Sequence, residues 1–115
     1  MTKTPYELLL DEGQHLFDKK QYTLAIDKLT ELVALLELEN PETRISEKKV
    51  DKYVIPCLYL LSQSHLELKQ YYKAGEKCNQ LLGFRPNHPK GKKLQGLICV
   101  HTGDFKKAMT TIKTN

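Results

Sequence analysis

Three short segments of this 115-residue chain share one pattern, in which an aromatic residue is followed three positions later by alanine. The pairs are Tyr22 and Ala25, Tyr71 and Ala74, and Phe105 and Ala108. We call the separation of Ala25 from Ala74 the long interval and that of Ala74 from Ala108 the short interval. The short interval equals the period of about 34 residues that is typical of chains that stack pairs of helices. The excess of the long interval corresponds to a polar stretch at 40–53, which we interpret as an inserted connection.

Apolar residues on either side of these segments recur at the spacing of an α-helix, and no strand-like alternation extends far. This pattern predicts helices over residues 5–19, 22–39, 54–68, 71–82 and 89–101. We expect Asp104 to cap a sixth helix that runs to the end of the chain. The prediction is therefore three successive pairs of helices, each pair joined by a tight turn.

Two residues are expected to interrupt the helices. Pro56 is tolerated only in a first turn, so a helix that precedes it must kink or stop near Ile55. The stretch at 40–53 is mostly polar and opens with Asn40–Pro41, so it is expected to be a loop, with the alternative that it turns helical after Ser46. Gly83 is expected to end the fourth helix in the left-handed conformation.

These turns and their spacing resemble the tetratricopeptide family, and the resemblance covers nearly the whole chain. In that family the alanine lies at a close helix crossing, and a small residue on the first helix faces a bulky one on the second. The small positions match Gly13, Ser62 and Gly96, and the bulky positions match Leu29, Cys78 and Ile112. An ordinary helical bundle with accidental spacing is the alternative.

The resemblance implies an all-α fold, a right-handed helical-repeat solenoid of about six antiparallel helices. It would form a single domain over residues 1–115. The repeats are expected at about 5–39, 54–88 and 89–115, with a connecting loop at about 40–53.

Some members of the family capture acidic C-terminal peptides through a carboxylate clamp of five polar residues on the first helices. The matching positions in this chain hold Leu10, Gln14, Leu60, Lys90 and Leu94. Only Lys90 keeps the family's residue type. Leucine cannot donate a hydrogen bond to a carboxylate, so we expect no affinity for such a terminus.

The resemblance also implies that the first helix of each pair lines a concave surface. We interpret this surface as a groove that binds a peptide or an amphipathic helix of another protein. Its expected lining is Leu10, Gln14, Leu60, Gln63, Lys90, Leu94 and Leu97. The leucines would supply apolar area, the glutamines would bind a peptide backbone, and Lys90 would hold one acidic group. The alternative is that the leucines pack against a further capping helix.

Other functions remain open from the sequence. The long connection between the first two repeats resembles that of immunophilin-type co-chaperones. The segment 51–54 and the repeat that follows resemble, more weakly, the fission adaptors of the mitochondrial surface. A structural module that self-associates is a rival from another class. The basic cluster at 90–93 is either a solvated helix start or an anchor for an acidic group.

Composition argues against several other kinds of partner. The formal net charge is +4, and the basic residues are spread along the chain, so nucleic acid is not expected. No apolar run approaches the roughly 20 residues of a membrane helix, and no signal peptide is recognisable. We therefore expect a cytoplasmic protein without direct membrane insertion in this segment, with an anchor outside it left open.

The residue types needed for catalysis do not occur in a catalytic arrangement. The four histidines lie outside any zinc-hydrolase motif, and the glycines are too dispersed for a phosphate loop. The three cysteines, Cys57, Cys78 and Cys99, are odd in number and lack a C-x-x-C spacing, which argues against a disulfide framework or a zinc site. We expect neither an enzyme nor a bound cofactor.

Overall fold

The computed structural model describes residues 2–39 and 45–102, and every regular element in these ranges is helical. The elements are α1 (Pro5–Asp18), α2 (Tyr22–Glu39), α3 (Glu47–Lys49), a π-helical segment (Val50–Val54), α4 (Ile55–Glu67), α5 (Tyr71–Phe84) and α6 (Pro89–Thr102). The all-α prediction is therefore confirmed for this part of the chain. The predicted sixth helix, from Asp104 onward, lies outside the described residues.

The turn between α1 and α2 has the same hydrogen bonds as the turn between α4 and α5. In the first turn Lys20 N–H donates to Phe17 O at 2.9 Å, and Gln21 N–H donates to Leu16 O at 2.8 Å. In the second turn, one long interval further along the chain, Lys69 and Gln70 donate to Leu66 O and His65 O at the same two distances. Bonds of this kind close a helix around one left-handed residue.

The left-handed residue of each turn is a lysine. Lys20 has a φ of 63° and Lys69 a φ of 62°, the two positive values among the described non-glycine residues. The next helix begins two residues later in both turns, where Ala25 N–H and Ala74 N–H donate to the carbonyls of Gln21 and Gln70. The two predicted breaks therefore share one local geometry.

The connection between the first two helix pairs is more helical than the sequence indicates. Ser46 Oγ accepts from Lys49 N–H at 3.3 Å and starts a helix at Glu47, so the alternative start after Ser46 is confirmed and the predicted loop is wrong from residue 47 onward. The helix then passes Pro56 without stopping. It widens to a π-helical turn in which Ile55 N–H donates to Val50 O, five residues back. A wider turn tolerates the missing donor and the ring of the proline.

Tertiary contacts explain why residues 47–54 are helical. Val50, Tyr53 and Val54 are buried in the main core, so the helix gains apolar burial by starting early. Arg85, directly after α5, donates to Asp51 Oδ1 at 2.9 Å and to Glu47 Oε2 at 2.6 Å. These charge-assisted bonds tie the start of the second helix pair to its end.

The end of α5 also differs from the prediction. The helix continues through Gly83 to Phe84, and Arg85 N–H donates to Leu81 O at 2.9 Å. Gly83 does not have a positive φ, so its expected role as a left-handed helix end is wrong. The helix ends instead at Arg85, whose φ is −138°.

The helices pack in chain order. The contacts of α1 with α2, α2 with α4, α4 with α5, and α5 with α6 dominate, and α4 also touches α1 and α6. The main core cluster lies between α1, α2, the π-helical segment and α4, with Leu81 from α5. A second cluster joins α5 to α6 through Ala74, Cys78, Leu94 and Ile98.

Successive helix pairs meet at equivalent positions. Cys57 on α4 donates its Sγ–H to Leu29 O on α2 at 3.2 Å. Cys78 on α5 donates to Gly91 O on α6 at the same distance. Cys78 follows Leu29 by the long interval, and Gly91 follows Cys57 by the short interval. The two junctions therefore use the same pair of positions, spaced as the three turns are.

Candidate partner-binding surface

The seven residues predicted to line a groove lie on α1, α4 and α6. The structure places α4 between the other two, in contact with α1 and, less extensively, with α6. The predicted lining therefore lies on one surface, to which α1, α4 and α6 contribute. The side chains on these helices differ in how much of that surface they supply.

Two of the seven predicted residues are core residues. Leu60 is 5% exposed and belongs to the main cluster, and Leu94 is 6% exposed and belongs to the second cluster. The expectation that both offer apolar area to a ligand is corrected accordingly. The reason is that α4 packs on α1, α2 and α5 together, so it buries much more than one stripe. Leu94 is buried because it seals the junction of α5 with α6.

The other predicted residues remain accessible to different degrees. Leu10 is half-buried against the main cluster, and Gln63 is half-buried on α4. Gln14 is exposed and donates from Nε2 to Asp18 Oδ1 at 2.9 Å. Lys90 is exposed at the start of α6, and Leu97 is 47% exposed near its end.

Gln14, Gln63 and Leu97 occupy one equivalent position of the three helices. Gln63 follows Gln14 by the long interval, and Leu97 follows Gln63 by the short interval. All three side chains are at least partly accessible, in contrast to Leu60 and Leu94. We call this set the groove line. Its two amides can pair with a peptide backbone, and its leucine can bury an apolar side chain.

The basic cluster at the start of α6 has a structural role at His88 and Gly91. His88 Nδ1 accepts from Gly91 N–H at 3.0 Å and so caps the helix. Gly91 is buried, and a Cβ placed on it would stand 2.8 Å from Cδ2 of Leu81. Lys90, Lys92 and Lys93 are exposed around this contact.

Two of the cysteines and one histidine are buried in the packing. Burial raises the pKa of Cys57 to about 12, and burial also raises the pKa of Cys78 to about 11, so neither thiol is an active nucleophile near neutral pH. His65 is buried, and its Nδ1 lies 2.7 Å from Gln70 Oε1. Among residues 2–39 and 45–102, no group of three or more histidine, cysteine or acidic side chains is placed to hold a metal ion.

A second concave feature, which the sequence did not lead us to expect, lies where α1 begins, α2 ends and α3 begins. It is a cavity of about 480 Å³ lined by Thr4, Pro5, Tyr6, Glu39, Ser46, Lys48, Lys49, Lys52 and Tyr53. We call it the basic cavity. The signal in the sequence was the group of Lys48, Lys49 and Lys52, which lies in a stretch that we assigned to a loop. Only the helical geometry of that stretch brings its lysines to the start of α1.

No family model matches the chain. None of the helices formed by residues 2–39 and 45–102 combines the length and the apolar character that crossing a membrane requires.

Proposed function

We propose that this chain is a non-catalytic helical-repeat protein that binds a peptide or a helical segment of another protein on the surface formed by α1, α4 and α6. The repeat is of the tetratricopeptide type. The proposed architecture is a right-handed solenoid of about six helices, to which the described residues contribute α1, α2, α4, α5 and α6. The expected compartment, on the sequence alone, is the cytoplasm.

The observation that carries this proposal is the recurrence of contacts at the spacing of the sequence pattern. The two turns repeat at the long interval with the same hydrogen-bond distances. The two junctions use the same pair of positions at the long and short intervals, with donor and acceptor exchanged: Cys57 on α4 donates to α2, whereas Cys78 on α5 donates to α6. Contacts confined mainly to neighbouring helices are typical of repeat proteins, in which each unit packs on the next.

The close crossing within a helix pair gives further support. Gly13 on α1 packs directly against Leu29 on α2, as the family's small and bulky positions imply. In the second pair, Ser62 Oγ donates to Ala74 O at 2.7 Å, with both residues fully buried. On α6, a Cβ on Gly96 would meet no described atom within 4 Å.

A binding role fits the chemistry of the groove line. Gln14 and Gln63 each carry a donor and an acceptor, which suits the unpaired amides of an extended peptide. Leu97 offers an apolar side chain at the end of the same line. The clamp for acidic termini remains unmatched, since Leu60 and Leu94 stand at two of its positions. A co-chaperone role of the immunophilin type would therefore need a different ligand.

The test is to disrupt the groove line without disturbing the fold. Gln63→Arg with Leu97→Asp changes two accessible side chains, and Leu38→Asp, at a 75% exposed leucine on α2, is the matched control. Partners are captured from cells by cross-linking to the full chain and identified by mass spectrometry. We expect the groove variant to lose at least tenfold of a captured protein that the control retains. Equal capture by both variants would refute the groove proposal.

Self-association is the second candidate, favoured by the exposed apolar side chains of Leu97 and Val100 on α6. In that case α6 would pair with a second copy of the chain. Light scattering over a range of concentrations separates the two candidates. A dimer that Val100→Asp dissociates would favour self-association, whereas a monomer at all concentrations would exclude it.

A further inference from the structure

One face of α1 is accessible although its equivalent in the second helix pair is buried. Leu8, Glu12 and His15 follow one another at helical spacing and are all exposed, Leu8 at 48%. The equivalent residues of α4, one long interval further along the chain, are Cys57, Leu61 and Ser64. All three are fully buried. The same face of the first helix is therefore open in the first pair and covered in the second.

A helix covers this face in both places where it is buried. Cys57 Sγ donates to Leu29 O at 3.2 Å, and α2 packs along α4. The equivalent residue on α6 is Gly91, which is buried and whose carbonyl accepts from Cys78 on α5. In both cases the covering helix comes from the preceding pair. We therefore expect the open face of α1 to accept a helix as well.

The open face of α1 continues into a third concave feature, a groove between α1 and α2. The groove has a volume of about 490 Å³, and its lining includes Glu12, Leu16, Leu24, Asp27, Lys28 and Glu31. We call it the outer groove. Its apolar part comes from accessible side chains, since Leu24 is 52% exposed and Leu16 is half-buried. A bound helix can therefore bury apolar area there without displacing the core.

The outer groove lies at one end of the first helix pair, between the second half of α1 and residues 24–31 of α2. The Tyr6 hydroxyl donates to Glu39 Oε2, which places the end of α2 beside the start of α1, at the opposite end of the pair. Glu31 lies about 12 Å along α2 from Glu39, at the usual rise of about 1.5 Å per residue. The outer groove and the basic cavity are therefore distinct features.

The charged groups around the outer groove are mostly negative. Its lining carries the carboxylates of Glu12, Asp27 and Glu31 and one ammonium group, that of Lys28. Lys28 Nζ lies 3.4 Å from Glu12 Oε2 and 4.0 Å from Glu31 Oε2, so two of the carboxylates share it. The whole chain has a formal net charge of +4, so this acidic region is a local departure from the average. Its potential favours a basic partner.

We propose that the outer groove is a second docking site, which binds an amphipathic helix of a partner protein whose apolar stripe is flanked by lysine or arginine. The stripe packs on Leu16 and Leu24, and the flanking basic side chains pair with Asp27 and Glu31 at the edge of the groove. This site is separate from the groove line on α1, α4 and α6, and the proposal does not depend on the function proposed for that surface.

The experiment titrates the full chain, labelled with ¹⁵N, with three capped peptides of about 18 residues, long enough for about five helical turns. The first has a leucine stripe of helical period flanked by lysines. In the second, glutamates replace the lysines, and the third has the composition of the first in an order without a stripe. We expect amide shifts within residues 8–16 and 24–31 with the first peptide, at an affinity at least about tenfold above that of the other two. That affinity is expected to fall at least about threefold between about 50 and 300 mM salt, because screening weakens exposed charge pairs.

Charge-matched variants then locate the site. Asp27→Asn with Glu31→Gln is expected to weaken binding of the lysine peptide about threefold or more, because each exposed ion pair contributes modestly. Glu67→Gln with Glu76→Gln removes the same charge from exposed positions of α4 and α5 and is expected to preserve the affinity. Glu76 is the closest match available, since it follows Asp27 by the long interval.

A second pair of variants tests the apolar part of the outer groove. Leu24→Gln is expected to weaken the lysine peptide about threefold or more, since it removes apolar contact area. Leu38→Gln changes a 75% exposed leucine near the other end of the same helix and is expected to preserve the affinity. Both side chains are accessible, so both variants are expected to fold.

Several outcomes would overturn the proposal. They are equal affinity for the three peptides, equal losses in the site variants and their controls, and no localised shift with any peptide. Shifts at residues 8–16 and 24–31 that grow with protein concentration alone would assign the outer groove to a second copy of this chain. Shifts at Gln63 and Leu97 without those at 24–31 would support the groove line and overturn only the outer groove.

Discussion

Gly13 on α1 faces Leu29 on α2 so closely that a Cβ at residue 13 would stand 2.5 Å from Cδ2 and 2.6 Å from Cγ of that leucine. Leu29 is fully buried, and its carbonyl accepts the Cys57 thiol at the junction with α4. It therefore has little freedom to withdraw. The glycine sets the distance between the first two helices.

Gly13→Ala is accordingly expected to destabilise the fold by about 1–3 kcal/mol, the usual effect of overpacking. Chemical unfolding followed by circular dichroism measures the change. Gly75→Ala is the control, since a Cβ there meets Ile98 Cγ2 at an ordinary 3.8 Å. The control is expected to gain about 0.5–1 kcal/mol, as alanine usually does over glycine in a helix. Equal stability of the Gly13 variant and the wild type would contradict the packing of α1 on α2.

Gly83→Ala tests where α5 ends. Because Gly83 is helical and a Cβ meets nothing within 4 Å, alanine is expected to stabilise the protein by about 0.5–1 kcal/mol. A left-handed glycine would give the opposite sign, since alanine is strained there. A lower melting temperature for this variant would therefore show that the helix ends before residue 84.

The left-handed lysines provide a test of the two equivalent turns. Lys20→Gly and Lys69→Gly are each expected to raise the free energy of unfolding by about 0.5–1 kcal/mol, because glycine adopts a positive φ without steric strain. The two gains should be additive, since the turns are separate. Lys77→Gly, in the interior of α5, is the control and should lose about 1 kcal/mol. A loss of stability on substitution at either turn would argue against its left-handed geometry.

The buried thiols predict a dependence of stability on alkaline pH. The pKa of Cys57 is raised from 9.0 to about 12 in the folded chain by desolvation. Above pH 9 the unfolded chain loses this proton while the folded chain keeps it. The contribution of this thiol to the free energy of unfolding is therefore fully present below pH 9. It is lost as the pH rises towards about 12, at up to about 1.4 kcal/mol per pH unit. Other groups titrate in this range, so the measurement is the difference in slope between wild type and Cys57→Ala. Identical slopes would mean that the thiol is not buried.

Among the predicted groove residues, Leu60 lies in the core and Leu97 on the surface, so the same substitution is expected to affect them differently. Leu60→Asp is expected to destabilise the fold by about 3 kcal/mol or more, because it places an unpaired carboxylate in the main core. Leu97→Asp should change stability by less than about 1 kcal/mol, since that side chain is half-exposed. Thermal unfolding of both variants measures the two changes in stability. A stable Leu60→Asp protein would show that Leu60 is accessible and can line the groove.

The sequence by itself determined the local features of this fold. The helix breaks at Lys20–Gln21 and Lys69–Gln70 lie where the aromatic-x-x-alanine pattern predicts them, and α2 runs over the predicted residues 22–39. These features depend on turn geometry and on helical periodicity, which residues near in sequence specify by themselves.

The tertiary structure alone decided the features that depend on distant neighbours. Residues 47–54 are helical because Val50, Tyr53 and Val54 reach the core and Arg85 binds their start, which outweighs the local effect of Pro56. Leu60 and Leu94 are buried because their helices each meet more than one partner. The basic cavity exists only where the ends of three helices converge. Periodicity shows which face of a helix is apolar, but burial depends on how many helices pack around it.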